Sequence, residues 1–430
     1  MELYKHLQER EKSKNRIKVG VVGSGQMGSG LVHSCFSIEG MEARVISDII
    51  ANKAIETFES SGIPREDIKV SNNINEIEDL INNGKYVVTE DAIILPQLSG
   101  IDVIVEATGV TDIGSRIAWD SIMNKKPVVM LNVETDVTVG YFLNYIARRS
   151  GALYTVASGD EPGVLKGLYD FARTMGFEVV CLGKGKNNPI NYFVTPEECE
   201  EEAKRKDMNP KMLASFIDGT KTMVEMASVS NSTGLVPDIP GMHGPKVEIE
   251  DLTSVFIPKE DGGIFDNPGR VDYSTGKVAP GVFAIITTKE KRIRKDMKFL
   301  GMGEGPYYLL YRPYHLCDLE TPISIAEAVI YNEVTTTSNF LKSEVVAIAK
   351  RDLKPGEKVG GYGSSDMFGR IYKYEEAKKI GAIPMGIAPG GKVIKEIKKN
   401  TPFTRENFEP DRNTFIYKLR EMQDSLQNDT

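Results

Sequence analysis

Several residue types are scarce in this chain, and each scarcity excludes something. Its 430 residues include one tryptophan, four cysteines and four histidines. Cys35, Cys181, Cys199 and Cys317 lie far apart, with no CxxC or CxxxC pair, and His6, His33, His243 and His315 are equally scattered. Neither a disulfide framework nor zinc-ligand spacing is present, so a reduced, cytoplasmic setting is expected. No apolar run approaches the ~18–20 residues that cross a bilayer. The opening stretch, MELYKHLQEREKSKNR, has no apolar segment of the signal-peptide kind. Positive charge is also in deficit, 53 Lys and Arg against 61 Asp and Glu, for a formal charge of −8. That balance argues against a dedicated nucleic-acid binder, and neither a nucleic acid nor a membrane is expected as a partner. An anionic small molecule would have to be held by a local basic cluster.

What is present is a soluble globular mixture, 40% hydrophobic and 27% charged, long enough for two or three domains. Residues 16–22, RIKVGVV, read as a β-strand and run directly into GSGQMG, which places Gly23, Gly25 and Gly28 in a G-x-G-x-x-G spacing. Gly23 permits the tight turn, Gly25 lets backbone approach a pyrophosphate, and Gly28 allows close helix–strand packing. The following SGLVHSCFSIEG reads as a helix whose N-terminus offers free N–H groups to phosphate. A second strand, ARVIS, ends at Asp48, where a carboxylate can bond a ribose hydroxyl. Strands at DVIVEATG and PVVMLN, separated by a helical stretch, complete a βαβ alternation. The expected fold is therefore α/β: an N-terminal Rossmann-type doubly wound parallel sheet, an α/β catalytic domain and a small β-rich C-terminal domain. The expected cofactor is NADPH or NADH, contacted by Gly23, Ser24, Gly25, Gln26, Met27, Gly28, Asp48, Ala107, Thr108 and Gly109. The stretch from Asn72 to Gly100 reads as a helix with adjacent strands at YVVTE and AIILPQL.

The middle of the chain carries the candidate chemistry. In Gly159-Asp160-Glu161-Pro162-Gly163 the two carboxylates either cap the following helix or ligate a divalent cation such as magnesium or manganese. The strand FEVVCL leads into Gly183-Lys184-Gly185-Lys186-Asn187-Asn188, where glycines would let the backbone curl and lysines add charge for a phosphate or carboxylate. One helix is expected over NPKMLASFIDGTKTMVEMA, with Met212, Phe216, Met223 and Met226 on its core face. Asp218, Lys221, Thr222 and Glu225 would share another face. Two Gly/Pro-rich stretches present His243, and Arg312 with His315; each histidine is either a site residue or a satisfied structural one. Near the C-terminus, VVAIAKRDLKPGEKVGG reads as strand–turn–strand about Pro355-Gly356, and FIYKLREMQDSL as a helix with a frayed tail.

Taken in order, GSGQMG, VIVEATG, SGDEPG, GKGKNNP, FIDGTK, PGMHGP and YHLCDLETP resemble the homoserine dehydrogenase-like oxidoreductases. The resemblance is to the branch with a C-terminal SAF domain, which includes the 1-deoxy-D-xylulose 5-phosphate reductoisomerase-like proteins. AKRDLKPGEKVGGYG and GAIPMGIAPGGKVIKEIKKNTPFTREN resemble the SAF part. The divisions expected are 1–155 for dinucleotide binding, 156–335 for catalysis and dimerisation, and 336–430 for the SAF-like domain, in a homodimer.

Two departures argue against homoserine dehydrogenase itself. The Asn-Lys pair that family places after PVVML is here Asn132-Val133-Glu134. Its Asp and Lys four residues apart fall, in this register, on Lys221 and Glu225, with the charges reversed. The resemblance instead implies reductive isomerisation of 1-deoxy-D-xylulose 5-phosphate, a step toward isoprenoid precursors. In that reading Lys184, Lys186, Lys221, Asp160 and Glu161 are catalytic, with Asp160 and Glu161 also the metal ligands. Asn187, Asn188, Asp218, His243, Arg312 and His315 would contact substrate. Alternatives are a dehydrogenase or oxidoisomerase of another sugar, sugar phosphate or sugar acid, and a dinucleotide-binding regulator without turnover.

Overall fold

A computed structural model describes residues 2–426. The chain forms two compact units, each assembled from separated stretches. The first contains the chain up to Gly163, Leu316–Thr337 and the chain from Lys418 onward; the second contains Val164–His315 and Ser338–Tyr417.

The first unit is built on seven strands: β1 (Ile17–Val22), β2 (Met41–Ser47), β3 (Ile68–Val70), β4 (Tyr86–Thr89), β5 (Val103–Glu106), β6 (Val128–Met130) and β7 (Tyr154–Val156). Their order is β3-β4-β2-β1-β5-β6-β7, and every pairing is parallel. Parallel neighbours need crossover connections. Between and beside these strands run α1 (Leu3–Lys12), α2 (Gln26–Ser37), α3 (Ala51–Ser60), α4 (Ile74–Asn82), α5 (Thr111–Met123) and α6 (Val133–Ser150), and the returning segment adds a helix at Cys317–Ala326. The near-continuous apolar strands are buried, with Val19, Val21, Val103 and Val105 fully enclosed among Leu31, Val32, Cys35 and Phe58 from the helices. Such runs are what a sheet covered on both faces requires. The doubly wound sheet expected from the sequence is thus the observed one. Within the Asn72–Gly100 stretch, YVVT is strand β4, but AIILPQ is a 3-10 turn over Ala92–Gln97 with Pro96 inside it. Proline removes a ladder donor, which explains why that apolar run does not join the sheet.

Helix α7 (Glu161–Thr174) follows β7. Beyond it, the second unit has a five-stranded mixed sheet made of β8 (Glu178–Gly185), β9 (Val236–Pro237), β10 (Arg270–Ser274), β11 (Val282–Thr287) and β12 (Tyr307–Arg312), in the order β12-β11-β8-β10-β9. Helices α8 (Pro196–Arg205), α9 (Pro210–Ile217) and α10 (Thr220–Thr233) come between β8 and β9. The single helix expected over 209–227 is broken here. Gly219 has φ +82, a left-handed conformation that ends α9 and starts α10, and glycine takes it without steric cost. Met223 and Met226 are buried as expected, but Met212 and Phe216, on the other side of the break, are exposed.

The C-terminal stretch contributes two small antiparallel pairs. One joins β13 (Ser343–Ala349) to β14 (Met367–Lys373), the other Lys392–Val393 to Phe408–Glu409. The strand expected directly after Pro355-Gly356 does not pair with β13; its partner is β14, reached after the glycine-rich loop. The expected terminal helix is present at Phe415–Leu426, and the tail beyond it lies outside the described residues.

Candidate functional site

In the first unit, β1 and β5 are neighbours whose connections leave in opposite directions, the position where open α/β sheets bind ligands beyond their carboxyl ends. The loop after β1 has the geometry its glycines predict. Gly23 is at φ +95. A Cβ on Gly28 would sit 1.9 Å from the carbonyl oxygen of Gly23, so only glycine lets α2 start this close to the turn. A Cβ on Gly25 would meet nothing within 4 Å. That open ground lies before the first turn of α2, where unpaired backbone N–H groups and the positive dipole end suit a pyrophosphate. The residues present therefore fit a dinucleotide.

Asp48, the expected ribose contact, is anchored from both sides. One carboxylate oxygen accepts from the Ser24 N–H at 2.9 Å and the Ser24 hydroxyl at 2.7 Å. The other accepts from the Ile50 N–H at 2.9 Å. Burial pushes this carboxyl upward, but the N–H groups of Ile50 and Ser24, the Ser24 hydroxyl and Lys53 outweigh it and hold the group below the usual carboxylate range. Asp48 thus stays ionised and braces the glycine loop, with lone pairs left for a further donor.

The end of β5 holds a residue that the sequence reading passed over. Glu106 is fully buried. It is the register partner of Val22, the last residue before the glycine loop, and of Met130 on the other side. One of its oxygens accepts from the Thr108 N–H at 2.9 Å and from the Thr108 hydroxyl. The other has no hydrogen-bond partner. Burial pushes the carboxyl up to about 7, against the lowering effect of Thr108 and the Asn132 amide. The signal available in the sequence was an acidic residue at the end of an otherwise apolar strand.

Asp160 and Glu161 open α7 and are both buried. Asp160 accepts from the Glu161 N–H at 3.1 Å and lies 3.6 Å from the Cys317 thiol. The turn before them is tight: a Cβ on Gly159 would lie 2.6 Å from the Glu320 Cβ and 2.7 Å from the Leu316 carbonyl oxygen. Two adjacent carboxylates supply only part of the oxygen set a divalent cation takes.

In the second unit, Lys184 lies on β8 and Lys186 directly follows its last residue, Gly185. The strand continues through Gly185, and both lysines are buried. The backbone up to Gly185 is extended strand and does not curl into a ring of converging N–H groups. Lys184 is ion-paired with Glu225 of α10. Lys186 donates to the Phe216 carbonyl at 3.0 Å and to the Asn188 side chain at 3.2 Å. Burial, and then the neighbouring charge of Lys184, lower the Lys186 ammonium to about 8, with Glu225 and Asp218 partly opposing. An ammonium has three donors, so one remains for a ligand. Register also aligns Lys184 with Val282 of β11, and Val282 with Arg312 of β12. Arg312 therefore shares the face of Lys184, roughly 10 Å across at ordinary strand spacing. Asn187 and Asn188 are exposed beside Lys186, and Lys221 is half-buried in the first turn of α10.

Other expected substrate contacts are occupied differently. Asp218 is fully enclosed, 2.9 Å from the Lys350 ammonium, which also donates to the Val194 carbonyl at 2.8 Å. Asp218 therefore joins the C-terminal stretch to the helix break. His243 pairs with buried Asp238 at 3.0 Å, and the other oxygen of Asp238 accepts from Arg270 at 2.8 Å. Asp272 accepts from the backbone N–H groups of His243 and Gly244, so this segment is clamped to β10. His315 lies 2.7 Å from the Pro280 carbonyl through Nδ1.

The first unit is thus of the doubly wound, dinucleotide-binding class, and the second is a mixed-sheet unit bearing a dry lysine pair. Residues 159–321, less than half of the chain, match the family described as Oxidoreductase DRL, catalytic domain. No curated protein matches the sequence. Among solved structures, the chain is similar to a probable dehydrogenase from Thermotoga maritima, at 12% identity over 75% of this chain and 91% of that one, with a TM-score of 0.40. It is similar to scyllo-inositol dehydrogenase from Lactobacillus casei, at 11% identity over 75% and 92%, with a TM-score of 0.41. It is also similar to 1-deoxy-D-xylulose 5-phosphate reductoisomerase from Zymomonas mobilis, at 16% identity over 50% and 57%, with a TM-score of 0.34.

Proposed function

We propose that this chain is an NAD(P)H-dependent oxidoreductase that reductively isomerises 1-deoxy-D-xylulose 5-phosphate to 2-C-methyl-D-erythritol 4-phosphate. The observation that carries the reading is the buried Lys184–Lys186 pair, which falls inside the segment similar to the oxidoreductase DRL catalytic domain. In a chain of charge −8, two buried ammonium groups at one strand end suit an anionic substrate, because a dry environment strengthens charge–charge attraction.

The cofactor, when bound, supplies the hydride. Lys186 serves the phosphate or the carbonyl oxygen through its remaining N–H. With its ammonium lowered to about 8 by burial and Lys184, it can give up a proton near neutrality as charge develops on that oxygen. Glu225 holds Lys184 in place through their ion pair, and Lys221 is a second proton source from α10. Asn187 and Asn188 offer amide donors to the phosphate. Asp160 and Glu161 order the start of α7.

The test is NAD(P)H oxidation with purified protein and 1-deoxy-D-xylulose 5-phosphate, run beside dephosphorylated ketoses and sugar acids, with the product identified by NMR. Turnover of the phosphorylated ketose to the branched polyol phosphate is expected. Oxidation with another sugar but not with this one would reject the isomerisation and leave an oxidoreductase of different specificity.

A further inference from the structure

The first unit buries a carboxyl group that the proposed reaction does not use. Glu106 ends β5, hydrogen-bonded through the strand ladder to the two strands beside it. The Ala107 N–H donates to the Val22 carbonyl at 2.8 Å, and the Leu131 N–H to the Glu106 carbonyl at 2.9 Å. Val22 is followed directly by the glycine loop, and a Cβ on Gly23 would lie 3.1 Å from the Ala107 carbonyl oxygen. The backbone at Glu106 is therefore joined to the start of the glycine loop through Val22 and Ala107.

On its other side it organises the segment leading into α5. Thr108 donates twice to one Glu106 oxygen, and the Thr108 hydroxyl accepts from the Val110 N–H at 3.1 Å. The Asn132 amide donates to the Val110 carbonyl at 3.1 Å, while its oxygen caps α6 by accepting from the Thr135 N–H at 3.1 Å. Gly114 closes the cluster: a Cβ there would lie 2.6 Å from the Asn132 amide nitrogen and 2.9 Å from the unpartnered Glu106 oxygen.

An ionised carboxylate with one dry, unpartnered oxygen is costly, and a proton on that oxygen removes the charge. The charged and titratable groups around Glu106 offer little relief. On α6 stand Glu134 and Asp136, and Glu134 pushes the Glu106 carboxyl further up. On β7 stands Tyr154, which donates to Asp136 at 3.1 Å. On α5 stand Asp112 and Arg116, the latter paired with Asp120 at 2.7 Å. The strands β1 and β6 place no charged side chain at the register positions paired with Glu106.

We propose that Glu106 is a proton-linked positioning residue of the nucleotide loop, so that binding of the anionic dinucleotide is accompanied by uptake of a proton at this carboxyl. The inference rests on the dinucleotide reading of the loop and adds its regulation by pH. Bringing a pyrophosphate to the loop places negative charge beside Glu106 and makes its ionised form still less favourable. Linkage then requires that nucleotide affinity fall as pH rises through neutrality.

The experiment uses the full chain and NADH, which has no 2′-phosphate to titrate. Calorimetric titration in buffers of different ionisation enthalpy, from about pH 5.5 to about pH 8.5, counts the protons taken up. For wild type, uptake is expected to peak near or above pH 7 and NADH affinity to weaken roughly threefold or more across the alkaline half of the range. Glu106→Gln keeps an acceptor for Thr108, and should bind NADH with no uptake and an affinity flat within about twofold, as a group that cannot titrate must. Binding without uptake in wild type, or the same uptake in the variant, overturns the proposal while leaving the dinucleotide reading intact. No NADH or NADPH binding at all overturns both. Should Glu106→Gln fail to fold, the wild-type profile decides alone, since uptake absent across the range rejects the linkage.

Discussion

At the scale of single residues, the candidate site depends on what each charge touches. Lys184 on β8 and Lys186 just past its end are two positions apart, yet their situations differ. Lys184 has Glu225, whereas Lys186 has only neutral acceptors, a carbonyl and an amide. Burial, and then the neighbouring charge of Lys184, lower the Lys186 ammonium to about 8 and set a pH expectation. Below about 8 its ammonium is charged, as the proposed anion site requires; as pH rises through that value the charge is lost. Binding of inorganic phosphate or a phosphonate, followed by calorimetry, should therefore weaken above about pH 8 in wild type. Lys186→Ala should weaken it roughly tenfold or more already at neutrality, the scale of one charge-assisted hydrogen bond. NADH binding should be unchanged in that variant. Equal loss of both ligands would make Lys186 a structural residue. Residue types and spacing were legible in GKGKNN. The Glu225 partner was not, because a contact 41 positions away leaves no mark in local spacing.

At the scale of elements, the strand–loop–helix unit of residues 17–37 was readable almost to the residue, because each glycine answers a local geometric demand. The two later glycines of the loop fail for different reasons. Gly28→Ala would drive a Cβ into the Gly23 carbonyl and should destabilise the protein by ~1–3 kcal/mol, as overpacking does. Gly25 has φ −68 and open space around it, so Gly25→Ala should keep its melting temperature and lose only dinucleotide affinity. Thermal melts beside NADH fluorescence titrations separate the two. A Gly25→Ala protein that binds NADH as well as wild type would argue that the pyrophosphate lies elsewhere. The break between α9 and α10 was partly visible, since Gly219 is a poor residue for a helix interior. Its sequence neighbours still carry apolar residues at helical spacing, and periodicity alone cannot show that the axis changes direction.

At the scale of the whole molecule, chain order and compactness part company. The first unit closes only when late segments return: Thr155 is bonded to the Thr336 carbonyl at 3.1 Å, and Gln423 accepts from the Phe142 N–H at 3.1 Å. In the second unit, Lys350 reaches back to Asp218 and Val194. Burial raises the Asp218 carboxyl, with Lys350 opposing, so removing the lysine strands a charge in the interior. Lys350→Ala should cost ~3–5 kcal/mol in denaturant unfolding, the usual consequence of breaking a buried pair. Replacing both partners together, as Asp218→Leu with Lys350→Met, should cost less than the single change. If the single change costs nothing, the pair does not hold this unit together.

The sequence by itself determined the doubly wound sheet, the glycine loop with its acidic brace, and the types of residue that would meet an anion. These follow from short-range rules: apolar periodicity, glycine conformation and strand-to-helix alternation act within a few residues. Only the tertiary structure decided which charges are spent and which are available. Asp218 and His243 are consumed by Lys350 and Asp238, Lys184 by Glu225, and Glu106 is left with an unpartnered oxygen inside the protein. The physical reason is that a charge's role depends on its partners and its access to water, and both are set by segments that meet only when the chain has folded.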